Sequence, residues 1–130
     1  MATEIVIINK DNILVDNSFH IDWADKGKNW VDAWCPNTIH CVIWNNLPGQ
    51  NEIQNKNAST GAMTGNTNLN ATSDAVGSTT IAALLTWAEI RKGQIEEAQA
   101  TWDGVIADDQ ANGTNNAAGK TWIDYDSNYS

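Results

Sequence analysis

The sequence is poor in cysteine and in basic residues, and it has no long apolar run. Its two cysteines, Cys35 and Cys41, are too few for the disulfide framework of a small secreted protein, so we expect both thiols to be reduced. No segment approaches the roughly 18 consecutive apolar residues of a membrane helix. The N-terminal MATEIVIINK also lacks the basic-then-apolar order of a signal peptide. These absences predict a protein that is made in a cytoplasm and has no membrane partner.

Acidic residues outnumber basic ones. Seven Lys and Arg stand against 16 Asp and Glu, which gives a net charge of -9 and an isoelectric point near 4.3. A surface of this charge repels the phosphates of nucleic acids and anionic lipids, so we expect neither as a partner. The acidity either keeps the protein soluble or attracts a basic partner or cations.

The first 55 residues carry the signals of a small sheet. Seven tryptophans and a hydrophobic fraction of 42% supply apolar surface for one core. The apolar runs 4–8 and 13–15 flank a turn-rich segment, which predicts a β-hairpin. The runs 38–44 and 51–54 flank a turn that contains Pro48 and Gly49, which predicts a second hairpin. Period-two alternation over 19–23 is typical of a further strand. We therefore predict a Trp-rich β-portion over residues 1–55, built as a small antiparallel sheet of two hairpins with about four strands.

The remainder of the chain divides into three segments. Residues 56–78 are mostly Asn, Thr, Ser, Gly and Ala, which predicts a polar loop or arm. Residues 79–109 have hydroxyl residues at their start and apolar residues at helical spacing, which predicts a long amphipathic helix that Gly93 can split into two. Residues 110–130 predict a flexible tail with an apolar peg at 122–125. The predicted fold class is α+β.

The predicted helix has an apolar seam. Its heptad a and d positions are Ile81, Leu84, Ala88, Arg91, Ile95, Ala98, Trp102 and Val105. Only Arg91 interrupts the seam, which either packs on the sheet or joins copies of the chain, for example as a trimer. We expect the following residues to form an interface or a core: Ile81, Leu84, Leu85, Ile95, Trp102 and Trp122.

No motif predicts catalysis, a cofactor or a metal site. The chain lacks the nucleophile elbow, the P-loop and the dinucleotide-binding glycine pattern. Adjacent His40 and Cys41 point to opposite faces of a strand, which disfavours a shared zinc ion. The neighbouring carboxylates Glu96 and Glu97 point about 100° apart on a helix, so they do not form a glycosidase pair. We predict a non-enzyme, with a small hydrolase that uses Cys or His as a remote alternative.

Trp30 and Trp34 support a second hypothesis. Exposed tryptophans beside Asn and Asp can stack on sugars and hydrogen-bond to them, so these two residues are a candidate glycan platform for attachment to a host surface. Structural packing is the competing interpretation, because a small sheet with one Phe needs other large side chains to fill its core.

Two segments, IVIINKDNILVDN and NTIHCVIWNNLPGQNEIQ, resemble a loose class of small proteins encoded in the structural modules of tailed bacteriophages. The matching positions are Ile39, His40, Val42, Trp44, Gly49, Asn51, Glu52 and Ile53. The resemblance implies a tail fibre or baseplate component, or a tail assembly factor. It also implies synthesis in the host cytoplasm, a place in the virion, and other virion proteins or copies of the chain as partners, in a homo-oligomer or as part of a larger assembly. The long segment after Asn55 departs from the short turn of that class.

Overall fold

The computed structural model describes residues 2–28 and 35–129, in which a helix packs against one face of an antiparallel sheet. The strands of this sheet are β1 (Ile5–Ile8), β2 (Asn12–Val15), β3 (Phe19–Asp22), β4 (Ile39–Trp44), β5 (Glu52–Lys56) and β6 (Met63–Asn68). Their order across the sheet is β3-β2-β1-β4-β5-β6. The predicted α+β class is confirmed. The predicted count of about four strands fits only roughly, because the main sheet has six strands in the part of the chain that the structure describes.

Both predicted hairpins are present. β1 pairs with β2 and β4 pairs with β5, each antiparallel. Lys10 lies in the turn of the first hairpin and has a φ of 62°. The next turn, between β2 and β3, uses Asp16 and Asn17 at φ 49° and 60°. Asp and Asn tolerate this left-handed conformation better than most residues, so the local sequence favours the reversal between β2 and β3.

Strand β6 corrects the prediction of a loop or arm over residues 56–78. It pairs along β5 from Glu52–Asn68 to Lys56–Met63, although all six of its residues are exposed. The turn before it is held by the Asn57 carboxamide, whose Oδ1 accepts from the N–H groups of Ser59 and Thr60 at 2.8 and 3.1 Å. Backbone pairing rather than apolar burial forms this strand, so the hydrophobic pattern does not reveal it.

A two-stranded ribbon leads into the helix. Strands β7 (Ala75–Val76) and β8 (Thr79–Thr80) pair with each other, and helix α1 (Ile81–Asn112) follows at once. Thr80 caps the helix, because its Oγ1 accepts from the N–H of Ala83 at 3.2 Å. Gly113, at φ 66°, ends it. The helix is continuous through Gly93 and is not split there.

The helix is longer than the sheet that it covers. At about 1.5 Å per residue, its 32 residues span about 48 Å. Six strands about 4.8 Å apart make a sheet only about 24 Å wide. The buried residues of α1 accordingly run from Ile81 to Ala98, and the remaining turns project beyond the core.

The chain after the helix folds back along it. Asp109 stabilises this reversal of the chain, since its carboxylate accepts hydrogen bonds from the N–H groups of Asn116 and Ala117 at 3.0 and 2.8 Å. A short 3₁₀ helix, Trp122–Tyr125, then contacts α1. The apolar peg predicted at 122–125 thus docks on this chain's own helix.

Arg91, the interruption of the predicted seam, lies at the centre of a buried ionic cluster. Its Nε and Nη2 donate to Asp25 Oδ1 and Oδ2 at 2.8 and 2.9 Å, and Nη2 also donates to Asp126 Oδ2 at 2.7 Å. The Arg91 side chain is only 1% exposed. Gly27 fits against the guanidinium so closely that a Cβ there would lie 2.2 Å from Cζ. One side chain therefore ties together the loop after β3, the middle of α1 and the C-terminal segment.

We expect Gly93→Ala to stabilise the protein by about 1 kcal/mol and to raise Tm by about 4 °C, because alanine restricts the unfolded chain and favours a helix interior. Gly93 is exposed, and a Cβ there meets no other atom within 4 Å. Thermal unfolding followed by circular dichroism measures the change. A lowered Tm would mean that the helix needs flexibility at this residue.

We expect Asp126→Asn to destabilise the protein by about 2 kcal/mol at neutral pH, because the variant replaces one of the two carboxylates that pair with the buried Arg91 by a neutral amide. Burial raises the pKa of Asp126, but hydrogen bonds from Arg91 and from the N–H of Asn128 outweigh burial and hold it below the usual 3.8. A carboxylate with a lowered folded-state pKa stabilises the fold above the unfolded pKa and loses that contribution as pH falls through the folded value.

Urea titrations between pH 2 and pH 7 should therefore show a shallower loss of stability below pH 4 in Asp126→Asn than in the parent chain. Asp103→Asn, an exposed change on α1, is the matched control and should leave the profile unaltered. Identical acid profiles for the parent chain and Asp126→Asn would contradict the role assigned to Asp126.

Candidate docking surface

The main sheet has one covered face and one face that is partly exposed. Along β1, Ile5 and Ile7 are fully buried, whereas Val6 is half-buried and Ile8 is 36% exposed. The same alternation runs along β2, where Ile13 is buried and Leu14 is half-buried. The buried set packs with α1 in the core. We call the other side of the sheet, which carries Val6, Ile8 and Leu14, the open face.

Strand register places the side chains of the open face in two rows. The first row, from β3 to β6, is His20, Leu14, Val6, Ile43, Glu52 and Asn68. The second row, in the same strand order, is Asp22, Asn12, Ile8, Cys41, Gln54 and Asn66. Both rows are apolar in the middle of the sheet and polar at its two edges.

The centre of the open face is an apolar island. We define the island by its five members: Val6, Ile8, Leu14, Cys41 and Ile43. An antiparallel sheet with one covered face normally alternates apolar residues inside with polar residues outside. Here β1, β4 and Leu14 of β2 place apolar side chains on the open face as well, as strands do when a layer covers each side. An apolar centre with a polar rim is typical of a surface that docks onto another protein.

Two depressions lie at the margins of the island. One, of about 280 Å³, is lined in part by Val6, Leu14 and Ile43. The other, of about 310 Å³, lies at the β2–β3 edge and is lined by Asp11, Asn12, His20 and Asp22. His20 Nδ1 lies 2.8 Å from Asn12 Nδ2. In the tautomer in which Nδ1 accepts from the Asn12 amide, the ring carries its proton on Nε2 and can donate it outward.

Cys41 is poorly suited to nucleophilic chemistry. Its residue is 6% exposed, and burial, helped by the negative charge of Glu52, raises the pKa of its thiol to about 11. A thiol attacks or binds a metal as the thiolate, which such a pKa disfavours at neutral pH. Within residues 2–28 and 35–129, no three His, Cys, Asp or Glu side chains come together in a group that could hold a metal ion.

Four residues of the predicted interface are core residues of this chain. Ile81, Leu84, Leu85 and Ile95 are at most 4% exposed. Of the two roles expected for these residues, interface or core, the four have the core role, because the seam up to Ala98 packs on the chain's own sheet.

The other predicted site residues have different environments. Trp102 is half-buried on the projecting part of α1, and its indole N–H is buried without a hydrogen-bond partner. Trp122 is half-buried, packs against the core and meets Tyr129 edge-on at 6.1 Å between ring centroids. The candidate glycan platform, Trp30 and Trp34, lies outside the described residues.

Sequence reasoning missed the apolar island, although a signal for it is present. The apolar residues of β1, β2 and β4 form continuous runs (IVII, ILV and VI). In a strand with one exposed face, apolar and polar residues would alternate instead. The runs alone do not show which residues share a face, because that depends on strand order and register.

No protein-family model matches this chain, and comparisons with curated proteins and with solved structures give no match. None of the described helices is both long and apolar enough to cross a membrane.

We expect Cys41 to react slowly with thiol reagents in the folded protein, because the thiol is buried and its pKa is raised to about 11. At pH 8 a pKa of that size leaves roughly one thiol in a thousand ionised. In a Cys35→Ser variant, reaction of Cys41 with an aromatic disulfide reagent should be at least about 100-fold slower than in the same chain unfolded in guanidinium. Equal rates would show that the thiol is accessible and activated.

Proposed function

We propose that this chain is a non-catalytic structural or assembly protein of a tailed-bacteriophage virion, associated with the tail, which acts by docking onto other virion proteins or copies of itself. The apolar island on the open face is the observation that carries this proposal. Tail fibre component, baseplate component and tail assembly factor are the specific roles that we propose for it.

The resemblance and the surface involve the same strands. The segments that resemble tail-module proteins contain the hairpins β1–β2 and β4–β5. Three of those strands, β1, β2 and β4, supply every member of the island. Within the matched positions, Val42, Trp44 and Ile53 are buried, whereas Glu52 lies at the rim of the open face. A chain with these residues at the matched positions therefore has both the buried core beneath the island and the acidic residue at its rim.

The size of the island favours docking in an assembly of many contacts. Covering its four partly exposed aliphatic side chains would contribute on the order of 1 kcal/mol each. The loss of translational and rotational freedom on association costs about 4 to 15 kcal/mol, so the island alone gives weak binding. Repeated contacts within a particle raise the effective concentration and make such weak surfaces sufficient.

We expect Val6→Lys to reduce incorporation of the protein into particles at least tenfold, because it places a charge at the centre of the island while the covered face stays intact. The measurement is quantitative mass spectrometry of purified virions and of tail assembly intermediates from the phage that encodes the chain. Presence in virions indicates a tail component, and presence only in intermediates indicates an assembly factor.

Asn68→Lys is the matched control, since it adds the same charge to the open face at the exposed strand β6. It should be incorporated like the parent chain. Circular dichroism must show that both variants are folded. Normal incorporation of Val6→Lys, or absence of the parent chain from particles and intermediates alike, would refute the proposal.

A further inference from the structure

The C-terminal residues 121–129 form a unit with its own hydrogen bonds, which we call the latch. Thr121 Oγ1 accepts from the N–H of Ile123 at 3.3 Å, and Asp124 Oδ2 accepts from the N–H of Thr121 at 2.8 Å. The N–H of Asp126 donates to the Ile123 carbonyl at 3.1 Å. Within the described chain, the backbone hydrogen bonds of the latch stay inside it. The latch can therefore separate from the rest of the chain without losing them.

Side chains hold the latch on helix α1. Asp126 Oδ2 accepts from Arg91 Nη2 at 2.7 Å, and both side chains are 1% exposed. The centroid of the Tyr129 ring lies 6.0 Å from Arg91 Cζ, and the same ring meets Trp122 edge-on. Trp122 is half-buried and packs against the core from outside. A buried ion pair and two aromatic rings thus dock the latch.

The contact between the latch and α1 is looser than the core. An open cleft of about 90 Å³ lies between them, and Gln94, Ala98 and Thr101 line it on the helix side. Protein cores, in contrast, have few voids larger than a water molecule. Separating the latch from the helix therefore breaks a smaller packed contact than the width of the cleft suggests.

The connector between α1 and the latch, residues 113–120, is exposed apart from the half-buried Ala117. It contains two glycines in the left-handed conformation, Gly113 at φ 66° and Gly119 at φ 73°. Its hydrogen bonds to the helix run to Asp109. Exposed hydrogen bonds compete with water, and glycine changes its backbone conformation easily, so the connector is suited to act as a hinge.

The rest of the protein keeps its core when the latch leaves. None of the buried members of the described hydrophobic core belongs to the latch. Arg91 keeps its hydrogen bonds to Asp25 at 2.8 and 2.9 Å, so its charge stays paired, but Nη2 loses Asp126. We call the surface of α1 from Arg91 to Thr101 the groove. An open groove thus presents a guanidinium that lacks one carboxylate partner.

We infer that the latch is exchangeable: it opens as a unit while the rest of the chain stays folded, and the groove then takes the latch of a second copy. The structure shows this sequence seated in the groove, and a second copy supplies the same Asp126, Trp122 and Tyr129. Exchange of an identical segment is a low-cost route to a dimer, because it needs no new contact. The groove is separate from the open face, so the inference goes beyond the docking proposed there.

Concentration decides between the closed and the exchanged form. In a single chain, the connector holds the latch near its own groove at an effective concentration on the order of 1 mM. The dilute parent chain should therefore be a closed monomer. Copies that are crowded together in an assembly approach the same local concentration, and there the exchanged form competes.

Shortening the connector tests the inference, because it prevents closure within one chain. Arg91 lies about 31 Å from the end of α1 at Asn112, at about 1.5 Å per residue. Without residues 114–119, the connector reaches at most about 11 Å, and the latch adds about 10 Å between Thr121 and Asp126. The shortened chain can then seat its latch only on another copy, whose helix is free to approach.

Sedimentation velocity should show a dimer of the shortened chain at about 100 μM and a monomer of the parent chain. The matched control replaces residues 114–119 by six glycine and serine residues, which keeps the reach of the connector, and it should stay monomeric. Asp126→Asn in the shortened chain should weaken its dimer at least tenfold, because the carboxylate that pairs with Arg91 is lost. Circular dichroism confirms that each variant is folded.

A peptide tests which surface holds the dimer. A synthetic peptide of residues 119–129 at about 1 mM should compete for the groove and return the shortened chain to the monomer. The same peptide with Asn in place of Asp126 should be at least tenfold less effective.

Hydrogen exchange tests the opening in the parent chain. The N–H of Asp126 should exchange at least about 100-fold faster than the N–H groups of Leu84 and Ile95, because the latch opens without global unfolding. Its exchange should also depend less on urea, since local opening exposes less surface.

Three results would overturn the inference. A folded shortened chain that stays monomeric would show that the groove does not take a second latch. A dimer that the peptide leaves intact would place self-association on another surface. Exchange of Asp126 with the same rate and urea dependence as α1 would show that the latch does not open by itself. The last result needs no variant, so it decides even if the shortened chain does not fold.

Discussion

The burial of one charged side chain, Arg91, constrains how the parts of this protein fit together. A guanidinium removed from water costs several kcal/mol unless its donors are paired. Burial alone would lower the pKa of Arg91, but hydrogen bonds and charge from Asp25 and Asp126 raise it. Those carboxylates come from the loop after β3 and from the C-terminal segment, 66 and 35 residues away along the chain. The cation is satisfied only when both segments meet the middle of α1, and this fixes where the helix lies.

The position of the helix decides which surfaces remain for binding. With Arg91 anchored, the first half of α1 covers one face of the sheet. The apolar seam of the helix is therefore buried in the core of this chain. The island on the other face is then the largest departure from a soluble, alternating sheet that the described residues show. The docking function that we propose rests on this surface, and not on the apolar seam of the helix.

Features set by neighbouring residues were predictable from the sequence. Both hairpins, the hydroxyl cap at Thr80 and most of helix α1 depend on turn residues, period and capping within a few positions. Strand β6 was not predictable in this way, since its exposed, polar residues are held by backbone pairing with β5. Arg91 illustrates the same limit. The heptad pattern marks it as an interruption of the seam, but its two acidic partners are distant in sequence and carry no local signal.

The sequence by itself determined the α+β class, the two hairpins and a long helix with an apolar stripe, because each follows from local periodicity and turn chemistry. Only the tertiary structure decided that this stripe covers the chain's own sheet and that Val6, Ile8, Leu14 and Ile43 share the open face. Strand order and register place those residues together, and both are settled by long-range strand pairing, whereas the buried charge of Arg91 positions the helix on the other face.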